Sequence, residues 1–309
     1  MSDPLVDIVC ISPHMQEVAR LLKTAAPSKV PVVISGEAGV GKDLIARALH
    51  RLSPRSIGTF IPVNCWGSAD RSVEEELFGA EPVPGARSSS GSLRLANAGT
   101  LFLDEVDALP PPTQTRLLRF LEIQSDAGLD VRVVAATKDE GLMEKRLRAD
   151  LRYFLNIFHI HVPPLRERTP DIVALISKLL SGINQSNSRA VLGVDPAVEN
   201  RFRAHPWPGN VREMRSVLEY AVLVSDGHVI HPRDLPKNFG QLLSVPKTIK
   251  AELSAIQFPL GTTVEQVEEL LILQTLDRTN NNKTRTAELL GISLKTLHNK
   301  LKSYNARII

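Results

Sequence analysis

The chain has 309 residues, 43% hydrophobic and only 5% aromatic, which suits two or three domains with buried cores. Its cysteines, Cys10 and Cys65, stand far apart without ligand-like spacing, which argues against a disulfide framework or zinc site and for a reducing, cytoplasmic setting. No apolar run reaches membrane-spanning length, no leader pattern opens the chain, and the net charge of +3 is uneven: from Arg278 to Ile309, seven Lys or Arg face a single acid, Glu288. A basic end on a mildly acidic body suggests nucleic acid met at one end, against the plainer reading of a solvated charged surface.

In chain order, Ser12 or the Pro13 step starts a helix with Met15, Val18, Leu21 and Leu22 on one face. Val30 to Ser35, VPVVIS, reads as a buried strand. GEAGVGKD follows, matching G-x-x-x-x-G-K and departing from the full phosphate-loop pattern only at its last position, where Asp43 replaces Ser or Thr. Leu44 to Leu52 then has helical spacing. A glycine turn without a ligand is the bland alternative, but strand, loop and helix together are the context a phosphate cradle needs. Gly36, Glu37, Ala38, Gly39, Val40, Gly41, Lys42 and Asp43 are the candidate loop: glycines turn backbone N–H groups inward, the helix N-terminus adds positive potential, and Lys42 meets the terminal phosphates. The Asp43 carboxylate must point away, or meet a metal through water.

Phe60 to Cys65 reads as a second strand, and a helix is expected around Glu74 to Phe78. Gly79 to Gly91 lacks apolar period and reads as a loop. Gly99 to Glu105, GTLFLDE, is an apolar run ending in acids, as expected of a buried parallel strand with carboxylates at its C-terminal edge. Asp104 would hold Mg²⁺, directly or through water, and Glu105 would polarise a water aimed at the terminal phosphorus. Thr113 to Leu121 reads as a helix and Val131 to Thr137 as another buried strand. Arginines between Leu147 and Arg168 would serve the same site, or a neighbour's in a ring. Asp171 to Leu180 is an apolar helix, and Leu192 to Leu223 reads as helices around HPWPGN, with no further strands expected.

The aperiodic Gln241 to Gly261 reads as a linker, followed by a helix from Thr263 to Leu276 and a turn at Asn280 to Lys283. Thr284 to Leu290, Gly291, and Ser293 to Tyr304 have the helix-turn-helix layout, with Leu294, Leu297 and Leu301 expected in the core. Candidate DNA contacts are Thr284, Arg285, Ser293, Lys295, Thr296, His298, Asn299, Lys300 and Lys302, short polar and basic side chains suited to base edges and phosphates. A plain helix-packing module is the alternative, and the basic charge counts against it.

Over nearly the whole length these motifs resemble the bacterial enhancer-binding proteins, the AAA+ activators of sigma-54 RNA polymerase. GEAGVGKD looks like their Walker A, where an acid commonly follows the lysine, and GTLFLDE like their Walker B. The resemblance implies that Asn64 is the switch asparagine pairing with the Walker B glutamate, Thr137 sensor I, Arg212 sensor II, and Arg148 the first of two arginine fingers. It implies an AAA+ α/β core with a parallel sheet at 1–170, a helical lid at 171–240, a linker at 241–262, and an all-α Fis-type DNA-binding domain at 263–309. ATP, Mg²⁺, a palindromic DNA site, a homo- or hetero-oligomer, and RNA polymerase or a related activator are the implied ligands and partners. No receiver domain is expected ahead of the ATPase-like region.

The chain departs from the family where force would be delivered. After ELFG the family's GAFTGA loop is replaced by AEPVPGARSSSG, and Glu122 to Asp130 leaves little room for the usual hairpin before sensor I. The second arginine finger falls at Phe154, with Arg152 nearby, and Lys138 stands where Asn or His normally follows sensor I. The expectation is an ATP- and DNA-binding regulator with weak or no hydrolysis that modulates a partner. A self-sufficient sigma-54 activator is the second reading, and another AAA+ machine the third.

Overall fold

Five parallel strands form one sheet, in the order β2-β3-β4-β1-β5. They are β1 (Val32–Ser35), β2 (Phe60–Asn64), β3 (Thr100–Asp104), β4 (Arg132–Thr137) and β5 (Phe158–His161). The computed structural model describes residues 5, 7–66, 72–79, 91–123, 128–237, 239, 268–269, 271–273, 275–276 and 283–305. The residues fall into two compact units, Met1–Leu243 and Ser244–Ile309. The replaced GAFTGA segment at 80–90, residues 124–127 of the shortened hairpin region, and the linker at 241–262 lie outside the described residues.

Strands β1 and β4 are buried at every position, as is β3 up to Asp104. Parallel strands covered on both faces need no polar alternation, so their sequences are continuous apolar runs. Successive side chains still go to opposite faces. Leu101, Leu103, Val133 and Ala135 pack with Leu77, Leu117 and Leu151 on one side. Phe102, Val134, Ala136, Val32 and Ile34 pack with Met15, Leu22, Ile45 and Leu49 on the other. The first layer is built by α3 (Val73–Phe78), α4 (Ser92–Leu95), α5 (Pro111–Ile123), α6 (Glu140–Arg146) and α7 (Ala149–Leu155). The second is α1 (Pro13–Ala25) and α2 (Lys42–Leu52). Register pairs Asn64 with Asp104 and Ser35 with both Thr137 and His161, which brings the C-terminal strand ends to one edge.

Helix α1 begins as the sequence predicts, with Ser12 capping the N–H of Met15. Asp171 anchors that start across the fold. Its buried carboxylate accepts from Ile11 N–H at 2.8 Å, Ser12 N–H at 2.7 Å and the Ser12 hydroxyl at 2.8 Å. Three charge-assisted bonds thus tie α1 to the entry of α8 (Ile172–Asn187).

The helical subdomain contains α8, α9 (Pro196–Ala204) and α10 (Asn210–Val224). Its core centres on Trp207, fully buried, edge-on to Phe202 at 5.0 Å and donating its indole N–H to the Phe202 carbonyl at 2.8 Å. Two expectations need correction here. Strands do not cease after the main sheet: β6 (Gly193–Val194) pairs in parallel with β7 (Val229–Ile230) beside α9 and α10. Two-residue strands carry no periodicity for a sequence to display. Likewise β5 carries little signal, since FHIH is only four residues long and Ile160 alone is fully buried.

In the second unit the residues described between 268 and 276 are helical, and α11 (Lys283–Leu290) and α12 (Leu294–Asn305) follow. Gly291 turns between them at φ +65°, in the left-handed region that favours glycine. Ile272, Ala287 and Leu297 form the buried centre, with Leu290, Ile292 and Leu301 against it. Leu294, expected in this core, is 41% exposed. It shares the i, i+3, i+7 stripe of Leu297 and Leu301 but is the first residue of α12, at the end of the packed face.

Asp171→Ala should cost roughly 3 kcal/mol in urea unfolding, because three donors lose a buried ionic acceptor. A loss below about 1 kcal/mol would mean that the apolar face of α1 alone holds it in place.

Candidate nucleotide site and DNA-reading helices

The loop between β1 and α2 is built by three glycines with positive φ, Gly36 at 147°, Gly39 at 79° and Gly41 at 103°. Other parts of the chain hold it in shape. A Cβ on Gly39 would lie 2.3 Å from the Gly209 carbonyl, and one on Gly36 2.5 Å from that of Val162. The Gly39 carbonyl accepts from the Val211 N–H at 3.0 Å and the Arg212 N–H at 3.3 Å, both at the start of α10. Asn210 spans the junction. Its amide donates to the Ala38 carbonyl at 3.0 Å and the Glu37 carboxylate at 3.1 Å, while its oxygen accepts from Leu165 N–H at 2.7 Å. Arg166 grips Glu37 with two bonds, 2.7 and 2.9 Å, and buried Arg168 donates to the Val40 carbonyl at 2.8 Å.

These elements enclose a cavity of about 370 Å³ lined by Ala38, Gly39, Gly41, Lys42, Asp43, Leu44, Asp104, Glu105, Lys138, Leu179, Val211, Arg212 and Arg215. Lys42 and Asp104 face it with opposite charges. Burial pushes the Lys42 ammonium below the usual lysine range and the Asp104 carboxyl above the usual carboxylate range. The Lys42 ammonium rests on the Gly36 and Glu37 carbonyls at 2.7 and 3.1 Å. The Asp43 carboxylate pairs with Arg47 one turn on, at 2.9 Å, and that guanidinium lies over the Phe60 ring at 4.7 Å. An acid is tolerated after the lysine because a cation on its own helix meets it.

The predicted loop residues divide by role. Ala38, Gly39, Gly41, Lys42 and Asp43 line the cavity, whereas Glu37 faces Arg166 and Asn210, and Val40 is buried in the core. Thr137 is fully buried and its hydroxyl is spent on Asp107 at 2.9 Å and the Asp139 carbonyl at 3.0 Å, so it frames the site from behind. The Asn64 side chain accepts from Trp66 N–H at 3.0 Å. Glu105 instead pairs with Lys138, 2.5 Å away. Arg148 lies outside the cavity, exposed at the start of α7 and paired with Asp150 at 2.7 Å. Arg152 follows one turn later, half-buried and donating to the Glu144 carbonyl at 3.1 Å, while Phe154 packs on the core and so serves structure.

Sequence reasoning overlooked Arg215, Asn210 and the pairing of Lys138. Arg215 follows Arg212 by three residues, a helical spacing that placed it on the same face. The reach of Asn210 carried no local signal.

On the second unit, Lys295 and Asn299 are exposed. Ser293 caps α12, accepting from Thr296 N–H at 3.1 Å, and its hydroxyl also bonds that of Thr296 at 2.7 Å. Lys300 pairs with Glu268 at 2.8 Å, which draws its charge inward. Thr284, Arg285, His298 and Lys302 lie on these helices, with side chains outside the described set.

A phosphate loop on a parallel sheet under a helical lid, joined to a helix-turn-helix unit, defines a DNA-binding AAA+ protein. Residues 8–161 match the Sigma-54 interaction domain, 166–251 the AAA+ ATPase lid domain, and 263–304 the bacterial regulatory proteins of the Fis family. Regulatory protein AtoC of Escherichia coli is 38% identical over 96% of this chain and 67% of its own length. The putative uric acid regulator UacR, also of Escherichia coli, is 36% identical over 94% of this chain and 52% of its own. The crystal structure of NtrX from Brucella abortus superposes with a TM-score of 0.69, at 31% identity over 96% of this chain and 69% of that one, and NtrX has also been solved with ATP. The chain belongs to the sigma-54-dependent enhancer-binding proteins, ATP-binding regulators of transcription.

Gly39→Ala should lower affinity for a fluorescent ATP analogue by about tenfold or more, since the added methyl forces the loop off Gly209 at a strained φ. Unaltered affinity in a titration would show that the loop does not need this docking.

Proposed function

We propose that the chain is an ATP- and Mg²⁺-binding, DNA-binding regulator that does not remodel sigma-54 polymerase by itself and modulates a related activator or another polymerase form. The carrying observation is a cavity lined by Lys42, Asp104, Glu105 and Arg212 in a chain whose sequence lacks the family's sigma-contacting loop, AEPVPGARSSSG standing in its place.

In the cavity, Lys42 and the loop N–H groups would meet the β- and γ-phosphates, and Arg212 and Arg215 would approach from the lid. Asp104, an acid half-buried beside the phosphate lysine, is suited to a divalent cation that offsets its desolvation. The Mg²⁺ would neutralise charge on the phosphates. For hydrolysis, a water oxygen bonds to the γ-phosphorus as the bond to the β-phosphate oxygen breaks. ADP leaves with that electron pair, and Glu105 takes the water's proton. Arg148, with Arg152 a turn away on α7, would serve a neighbouring subunit's site, because neither lines the cavity of its own.

The domains follow from the same reading: AAA+ core to residue 170, lid to 240, linker to 262, and DNA-binding domain beyond. Lys295 is placed for phosphate contact, being exposed at the start of α12. Self-sufficient activation is the second reading, favoured by the match to the Sigma-54 interaction domain.

Three measurements test this. Lys42→Ala should abolish ATP binding, while Glu105→Gln keeps binding and stops hydrolysis; continued turnover in Glu105→Gln would remove it as the base. Lys295→Ala should weaken DNA binding and reduce the slope of log K against log salt by about one, with Lys300→Ala doing less. Pull-down with an ATP transition-state analogue should recover a full-length activator of the family and no sigma-54; capture of sigma-54 by the chain alone would favour the second reading.

A further inference from the structure

With Glu105 as the hydrolytic base, we infer that Lys138 is a built-in brake on ATP hydrolysis, holding the Glu105 carboxylate in an ion pair away from the attacking water. The pair is 2.5 Å long, with the Lys138 side chain 44% exposed and that of Glu105 19% exposed. Both residues line the nucleotide cavity. A carboxylate oxygen that accepts from an ammonium cannot accept a water proton through the same lone pair.

The backbone on each side is fixed so that these groups meet. Parallel pairing of Leu103 with Ala135 places the residues just beyond β3 opposite those just beyond β4. Thr137 then locks the two strand ends together. Its hydroxyl donates to Asp107, in the turn after Glu105, and accepts from Asp139 N–H at 3.3 Å, on the far side of Lys138. Glu105 itself sits at φ +55°, a left-handed turn whose N–H is held by Asp104 at 3.1 Å. Asn64, the other candidate partner for this carboxylate, gives its amide oxygen to Trp66 N–H, and Glu105 is paired with Lys138. Lys138 therefore occupies the position of control over Glu105, and it does so with a full charge. It is a positioning residue, acting on the reaction only through Glu105.

The test compares Lys138→Asn and Lys138→Arg with the parent full chain, measuring ATP turnover at protein concentrations where the specific rate no longer changes. Release of the base should raise kcat of Lys138→Asn about tenfold, a fraction of what general-base catalysis supplies, with KM within about twofold. Lys138→Arg, which still offers a cation, should gain less. Adding Glu105→Gln to Lys138→Asn should erase the gain. Unchanged or lower kcat in Lys138→Asn, with binding of a fluorescent ATP analogue intact, overturns the brake; a fall would mean that Lys138 assists the phosphates instead. The underlying site reading fails separately, if Lys42→Ala binds that analogue as the parent does.

Discussion

The contact between Gly39 and the first turn of α10 is the constraint on which the rest depends. A phosphate loop is a poor structure by itself, because it consists of inward-facing N–H groups and glycines in left-handed conformations. Here the helical subdomain and the segment leading into it supply the missing partners. The Gly39 carbonyl is satisfied by N–H groups of α10, the Ala38 carbonyl by Asn210, and the Val40 carbonyl by Arg168. The lid is thereby part of the loop's own hydrogen bonding. A change in lid position must register in the phosphate cradle, and phosphate in the cradle must bias the lid, since coupling between two sites is reciprocal.

The same economy governs the sheet edge. Strand register delivers Asp104 and Glu105 to one edge and Lys138 beside them, while the buried hydroxyl of Thr137 keeps those ends from sliding. Charges in the cavity are then set by neighbours. Lys42 and Asp104 are both disfavoured by burial in the ionised form, so each is poised for a partner of opposite charge. Asp43 is kept out of this exchange by Arg47.

Much of this was legible in the chain itself, for physical reasons. Parallel strands buried on both faces are apolar along most of their length, so β1, β3 and β4 stand out, and glycine spacing marks the loop. The Ser12 cap is local chemistry and was readable too. What stayed hidden was carried by geometry between distant segments: the edge strand β5, the short pair β6–β7, the span of Asn210, and the ion pair of Lys138. Leu294 shows the limit of spacing rules at a helix end, where the first residue of the stripe lies at the end of the packed face. Lys300 shows another, since a basic residue on the expected outer face of α12 is paired with Glu268 from the preceding helical segment.

The left-handed backbone at Glu105 has an evolutionary consequence. Only glycine holds that conformation without penalty, and an ordinary side chain there costs roughly 1 kcal/mol or more. Any drift of this codon toward glycine would therefore make the fold sturdier while removing its carboxylate. Selection for thermal robustness and selection for turnover pull in opposite directions at this residue, so a lineage that no longer needed hydrolysis would have little to hold the acid in place.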